Sequence, residues 1–405
     1  MSASLKSRLG VVGLGGATSQ ILPSIVTHPN FMISAGADPR PEARAQFANT
    51  FGASVFETVE ELCTKGSVDV VYIAAPSHLH MEIAVLAANQ GKHVIVEKPM
   101  AISLRECDLM IDAARANRIH LMVGHTHAFN APVLKAREII SSGELGRLSM
   151  ITSMNFNDYL YRPRWSHELQ TEMGGGIIYN QVPHQVDVVR MLAGGLVSSV
   201  RSAMWAHDGE RRTEGSHLTF LQFEDGSAAS MTISAYDFFD TDEFNFWVGE
   251  LGEKKDVDRH GSARRLLSGL DGAQAESQLK LSRSFGGAGH AGVQGLSRGQ
   301  PTHHAHFGFL LASCTLGDVR PSNDGVLIYS SEGCRHVPVS APRAFPEKSG
   351  VFDEMHEAIA GIRPLRHDGQ WGRATQEVCE AIRISAREKR EVFLSRQVPF
   401  DIRSA

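Results

Sequence analysis

Apolar positions in the first 125 residues follow two alternating patterns. Short runs rich in Val, Ile and Ala lie at residues 9–13, 31–37, 68–74, 93–97 and 119–124. Between them, at 20–28, 42–51, 79–89 and 104–117, the spacing turns amphipathic. Leu104, Cys107, Met110, Ile111 and Ala114 mark one helix face. The run at 68–74, VDVVYIA, holds one charged residue, as a strand covered on both faces would. Strand–helix alternation at this pace predicts βαβ units: an α/β, Rossmann-type doubly wound parallel sheet over residues 1–126.

Beyond Gly146 the pattern lengthens. Residues 147–157, 197–205, 216–223 and 228–236 read as longer strands, with a hairpin turn at Glu224-Asp225-Gly226-Ser227 and one helix over 176–192. The expectation is a second α/β domain, 127–405, with a large, mostly antiparallel open sheet. Residues 251–300 contain ten glycines and little periodicity. They read as a flexible insertion over or beside the active site, or as a subunit contact. Helical spacing returns at 352–361 and 371–387.

Composition narrows the function classes. The 405 residues suffice for two domains. The longest apolar runs are about eight or nine residues, too short for a spanning helix of about twenty. A net charge of -5 offers no basic stripe for nucleic acid. Cys63, Cys107, Cys314, Cys334 and Cys379 are scattered and form no C-x-x-C, which fits a reducing compartment. With no targeting signal at the N-terminus, the reading is a cytoplasmic protein without membrane or nucleic-acid partners.

The chemistry begins at Gly13-Leu14-Gly15-Gly16-Ala17-Thr18, between a predicted strand and a predicted helix. Gly13 permits a tight turn, Gly15 lets backbone approach a pyrophosphate, and the helix N-terminus supplies free N–H groups. Thr18 holds the third glycine position, so the G-x-G-x-x-G pattern is incomplete. Asp38 lies 25 residues after Gly13, past the second strand, where a carboxylate accepts hydrogen bonds from a ribose. It would repel a 2′-phosphate and favours NAD; neighbouring Arg40 leaves NADP open. The competing reading of Asp38 is a simple turn acid.

Glu97-Lys98-Pro99 closes a strand at the edge where open α/β sheets bind ligands. Ala75-Pro76-Ser77-His78-Leu79-His80 follows the preceding strand, and Gly174-Gly175-Gly176 leads to His184 and Asp187. Together these resemble the Gfo/Idh/MocA oxidoreductase family, over nearly the whole chain. The resemblance implies cofactor contacts at Ala75, Pro76, His80, Glu97 and Lys98, a catalytic lysine at Lys98 and a catalytic histidine at His184. It also implies a homo-oligomer, dimer or tetramer. The family's usual Asp four residues before the histidine is Asn180 here, and an amide cannot take a proton as a carboxylate does.

The segments 155–165, 179–187 and 366–372 are similar to the branch of that family that oxidises carboxylated cyclohexadiene cis-diols, phthalate 4,5-cis-dihydrodiol among them. The resemblance therefore implies an NAD-dependent dehydrogenase that turns a carboxylated cis-dihydrodiol into a catechol. A lysine base near neutrality must have its pKa depressed by burial or a nearby positive charge. Arg162 and Arg164 are candidates to hold the substrate carboxylate, and His127 to face the cleft; solvated loop arginines are the alternative. His303-His304-Ala305-His306 lacks a carboxylate or cysteine at useful spacing, and no metal is expected. A polyol, inositol or sugar dehydrogenase, or a cofactor-binding sensor without catalysis, remain the other readings.

Overall fold

The structure, a computed structural model, describes residues 6–290, 302–343 and 347–400. Strands β1 (Ser7–Val12), β2 (Phe31–Ala37), β3 (Ser54–Phe56), β4 (Val70–Ile73), β5 (His93–Glu97) and β6 (Leu121–Gly124) form a parallel sheet ordered β3-β2-β1-β4-β5-β6. The crossovers are α1 (Gly16–Val26), α2 (Pro41–Phe51), α3 (Val59–Lys65), α4 (His80–Asn89) and α5 (Leu104–Ala116). This is the expected doubly wound sheet. All four residues of β4 are buried, as its unbroken apolar run requires. The order reverses between β1 and β4, so a ligand crevice opens past the carboxyl ends of these strands. At three residues, β3 is too short to show alternation in the sequence.

The second half contains α6 (Ala131–Ser142), β7 (Leu148–Phe156), α7 (Gly176–Asn180), α8 (Val182–Ala193), β8 (Val197–Trp205), β9 (Ser216–Phe223) and β10 (Ala228–Ser234). After these come α9 (Ser262–Ser268), α10 (Gly272–Ser282), β11 (Phe309–Cys314), β12 (Gly317–Pro321), β13 (Gly325–Ser330) and β14 (Gly333–Pro338). The chain closes with α11 (Gly350–Ile359), α12 (Gly369–Glu388) and β15 (Val392–Phe393). Nine strands form one sheet, β14-β13-β12-β11-β7-β10-β9-β8-β15. Its neighbours are antiparallel except β7 and β10, which run parallel with Met150 opposite Ala228 and Phe156 opposite Ser234. The mostly antiparallel sheet is as expected. No helix among the described residues is long and apolar enough to cross a membrane.

Two expectations are corrected. The single helix over 176–192 is two, α7 and α8, broken at Gln181. Pro183 in the first turn of α8 has no N–H to continue the ladder. The break sets Asn180 and His184 on separate elements. The insertion at 251–300 is not structureless over its described part, 251–290. It contains α9 and α10, and its end reaches back to the first domain. Phe285 is fully buried against Phe47 and Phe51, with ring centroids 5.5 and 6.2 Å apart. Gly286 has φ +82°, and a Cβ there would lie 2.6 Å from the Ala43 nitrogen, so glycine is required for this close approach to α2. The periodicity was hidden because the anchoring is done by single residues. Residues 291–300 of the insertion lie outside the described part.

The helix carrying His184 is held rigidly. Asp368 caps α12 through the Trp371 amide at 2.9 Å, and the Trp371 indole donates to Asp187 of α8 at 2.6 Å. Arg190 of α8 stacks on Trp371 at 3.8 Å and donates to the Thr375 hydroxyl at 2.7 Å.

Candidate active site

The turn from β1 into α1 fits a dinucleotide. Gly13 has φ +84°, and a Cβ there would lie 2.7 Å from the Ala74 carbonyl oxygen. Around Gly15 and Gly16 the space is open, and α1 has no side-chain cap competing for its first N–H groups. Thr18 does another job in place of the third glycine: buried, it donates its hydroxyl to the Gly13 carbonyl at 2.5 Å and braces the turn.

Asp38 is buried beside this turn. Its carboxylate accepts from the Leu14 amide at 2.8 Å, and from the Arg40 amide and guanidinium at 2.9 Å each. Burial works to raise its pKa, but these donors outweigh it and hold the group below the usual carboxylate range. Arg40 is occupied in turn, donating also to the carbonyls of Leu14 at 3.0 Å and Phe285 at 3.4 Å. The inserted segment thus reaches Arg40 and α1, where His290 lies 3.2 Å from the Ser19 hydroxyl.

At the other end, Lys98 follows β5 and donates to the Asn180 backbone carbonyl at 3.0 Å. Burial pushes its pKa down, with Lys348 and Arg164 acting the same way and Glu97 and Glu250 opposing. Glu97 accepts a hydrogen bond from the buried Tyr72 hydroxyl. His80 has each ring nitrogen 2.9 Å from a carbonyl, Pro99 on one side and Ala75 on the other. It therefore ties the loops after β4 and β5 together, which positions Ala75 and Pro76 as well as Lys98. The Asn180 side chain donates to the carbonyls of Gly174 and Gly176 at 3.3 and 3.0 Å. It thus fastens the triple-glycine turn rather than facing a substrate as a proton acceptor.

His184, in the first turn of α8, is almost fully buried, and its Nδ1 has no hydrogen-bond partner. A buried polar atom left unpaired is costly and marks a place for a ligand group. Burial, and then the charge of Lys98, hold its pKa well below the usual value, so the ring is neutral near pH 7. His127 packs edge-on to it at 4.6 Å, and Phe307 lies 5.1 Å from its ring. His127 in turn sits 3.7 Å from Glu250, whose carboxyl is lowered by Arg162 and His127 against its burial.

Arg162 lies beside this cluster but is already engaged. It donates to Asp158 at 2.7 Å and to Glu250 at 3.1 Å. Arg164 stacks on Tyr159 at 3.7 Å, donates to the Tyr159 carbonyl at 3.0 and 3.1 Å, and lies 3.7 Å from Glu168. Of the histidine run, the ring nitrogens of His304 and His306 contact the Ser340 and Val248 carbonyls at 2.8 Å each. Glu250 and Lys348 are absent from the sequence reading. Each lies at the edge of a glycine- or proline-containing loop with no motif around it.

Residues 7–125 match the model of the oxidoreductase family, NAD-binding Rossmann fold, and residues 133–252 match the GFO/IDH/MocA C-terminal domain. A 1-carboxy-3-chloro-3,4-dihydroxycyclohexa-1,5-diene dehydrogenase of Comamonas testosteroni is 39% identical over 377 residues, 93% of this chain and 94% of that protein. The crystal structure of a dehydrogenase from Bordetella bronchiseptica RB50 has TM-score 0.89 and 40% identity, covering 96% of this chain and all of that one. The WlbA dehydrogenase of Bordetella pertussis, in complex with NADH and UDP-GlcNAcA, shares the fold at TM-score 0.69 and 20% identity, over 96% and 99% of the two chains. The nucleotide turn, the cluster beyond β5 and these matches identify the chain as an NAD-binding oxidoreductase that belongs to the Gfo/Idh/MocA family.

Proposed function

We propose that this chain is an NAD-dependent dehydrogenase that oxidises a carboxylated cyclohexadiene cis-diol to a catechol. The observation that carries the reading is a half-buried, pKa-depressed Lys98 whose charge acts on a buried, neutral His184 with an unpartnered Nδ1. The substrate class is supported by the Comamonas testosteroni relative, named for a carboxylated dihydroxycyclohexadiene. Phthalate cis-4,5-dihydrodiol is one member of that class.

The Gly13–Gly15 turn would hold the pyrophosphate, Asp38 the adenosine ribose, and the loops after β4 and β5 the nicotinamide. When bound, NAD supplies the hydride acceptor. Lys98, its pKa lowered by burial, takes the hydroxyl proton from the carbinol as its C–H hydrogen departs as hydride. His184 can donate or accept one hydrogen bond at the same carbinol and so orients it. The hydroxydienone formed tautomerises: the ring proton at the neighbouring carbinol carbon leaves, the carbonyl oxygen takes up a proton, and the ring becomes a catechol, with one net proton released. Rearomatisation drives the step, so Asn180 at the relay position is tolerated; it serves the turn instead.

A homo-oligomer belongs to the same proposal. Met150, Trp205, Leu218 and Phe220 lie on one face of the nine-stranded sheet and are exposed, an apolar row that a second copy would cover. The test of the activity is a substrate panel with NAD. Reduced nicotinamide should form with a carboxylated cis-dihydrodiol such as that of phthalate, and not with myo-inositol or glucose; the reverse result overturns the reading.

A further inference from the structure

The proposed substrate is an anion, yet both arginines beside the cleft are engaged. Arg162 is paired with Asp158 and Glu250, and Arg164 is held by its stack on Tyr159 and lies 3.7 Å from Glu168, which also pairs with Lys280. Lys348, just before α11, is different. Its ammonium contacts a neutral group, the Gln20 side-chain oxygen at 3.2 Å. No carboxylate among the described residues pairs with it.

Its backbone is fixed from two sides. The Lys348 amide donates to the Ser24 hydroxyl of α1 at 2.9 Å. Two residues on, Gly350 packs so closely on Phe129 that a Cβ would lie 2.7 Å from that side chain. Phe129 ends the short 3-10 turn that carries His127. Lys348 is therefore held between the nucleotide-binding helix and the His127 turn, and its charge acts on Lys98, His127 and His184. The ammonium is half-buried, and Glu97 and Glu250 favour its charge from beyond ion-pair distance, so an anion arriving beside it would find a cation that no carboxylate yet contacts.

We propose that Lys348 is the anion-binding residue of the cleft and takes a carboxylate or phosphate oxygen of the bound ligand. The carboxylate source rests on the function proposed above; the phosphate source, the cofactor pyrophosphate, does not. Its flexible stem suits either, since it can swing from Gln20 toward the ligand.

Equilibrium binding decides it, with NADH alone and then with 3,4-dihydroxybenzoate or catechol added to the NADH-loaded protein. In Lys348→Met, loss of a charge-assisted hydrogen bond should weaken one anionic ligand about tenfold to a hundredfold. Weaker 3,4-dihydroxybenzoate with unchanged catechol and NADH assigns the carboxylate. Weaker NADH assigns the pyrophosphate. Lys348→Arg should stay within about threefold of wild type in both cases, which separates lost charge from lost folding. Affinities of Lys348→Met within twofold of wild type for all three probes would overturn the proposal. If wild type itself does not prefer 3,4-dihydroxybenzoate to catechol, the carboxylated-substrate reading fails, and NADH alone then decides the role of Lys348.

Discussion

Replacing Asn180 by Asp reverses the local electrostatics at Lys98. The amide now donates to the Gly174 and Gly176 carbonyls. A carboxylate cannot donate, so both bonds are lost, at about 1–3 kcal/mol together, and the side chain turns away from those oxygens. The Asn180 backbone carbonyl is 3.0 Å from the Lys98 ammonium, so a carboxylate on the same residue falls within reach of it, at a working separation of about 5 Å. At an effective dielectric of about 20 that attraction is about 3 kcal/mol, or about two pKa units. Lys98 starts below its ordinary value because of burial, and the added charge drives it back up. Only the neutral amine can accept the substrate proton, so activity rises with pH through the lysine pKa. The rising limb of kcat/KM against pH should therefore move alkaline by about one to two units in Asn180→Asp. Thermal stability should fall modestly. An unmoved limb, or one displaced to acid, would refute Lys98 as the titrating base.

Three other outcomes are expected. Asp38→Ser removes an acceptor for the ribose and frees the Arg40 guanidinium; NAD should bind about tenfold weaker and NADP should become usable, as KM values for both cofactors would show. Phe285→Ala deletes a fully buried ring, worth about 3–5 kcal/mol, so the inserted segment should undock; hydrogen exchange should rise over 272–290 and NAD affinity fall, whereas unchanged protection would contradict the docking. The third concerns acid. Burial lowers the pKa values of His125, to about 4, and of His127 and His184. The unfolded chain binds a proton on each below about 6.5, so stability falls from there toward each folded value, by about 1.4 kcal/mol per unit and ring. His367 works the other way: burial opposes it, but Glu354 at 2.9 Å raises its pKa, so its contribution is present below about 6.5 and fades as pH rises. Three rings outweigh one, so Tm should drop between pH 7 and pH 5; a flat or rising Tm would refute the assignment.

The parallel sheet was legible because its strands are covered on both faces and read as solid apolar runs, as Val70 to Ile73 do. Gly13, Asp38, Lys98 and His184 stood out in the sequence as candidates because backbone geometry or proton chemistry restricts each proposed role to few residue types. The strands from Phe309 to Pro338 went unread; their exposed edge, β14, alternates too weakly to stand out. Phe285 and Glu250 gave no local sign, since each acts through partners more than 80 residues away, Phe47 and Arg162 among them. The role of Asn180 as a turn fastener needed the carbonyls of Gly174 and Gly176 in place before it could be seen. For Arg162 and Arg164 the sequence showed charge but not the acids that already claim it.

The most direct measurement uses a carboxylated cis-dihydrodiol with deuterium on its carbinol carbons, offered with NAD to wild type and to Lys98→Met. Wild type should place one deuterium on the reduced nicotinamide, lose the other to solvent and release the catechol. The variant should bind NAD with near-normal affinity yet turn over about a thousandfold more slowly, the scale of a lost general base. A variant within tenfold of wild type, or a wild type that leaves the label on the diol, would contradict the assignment of this site.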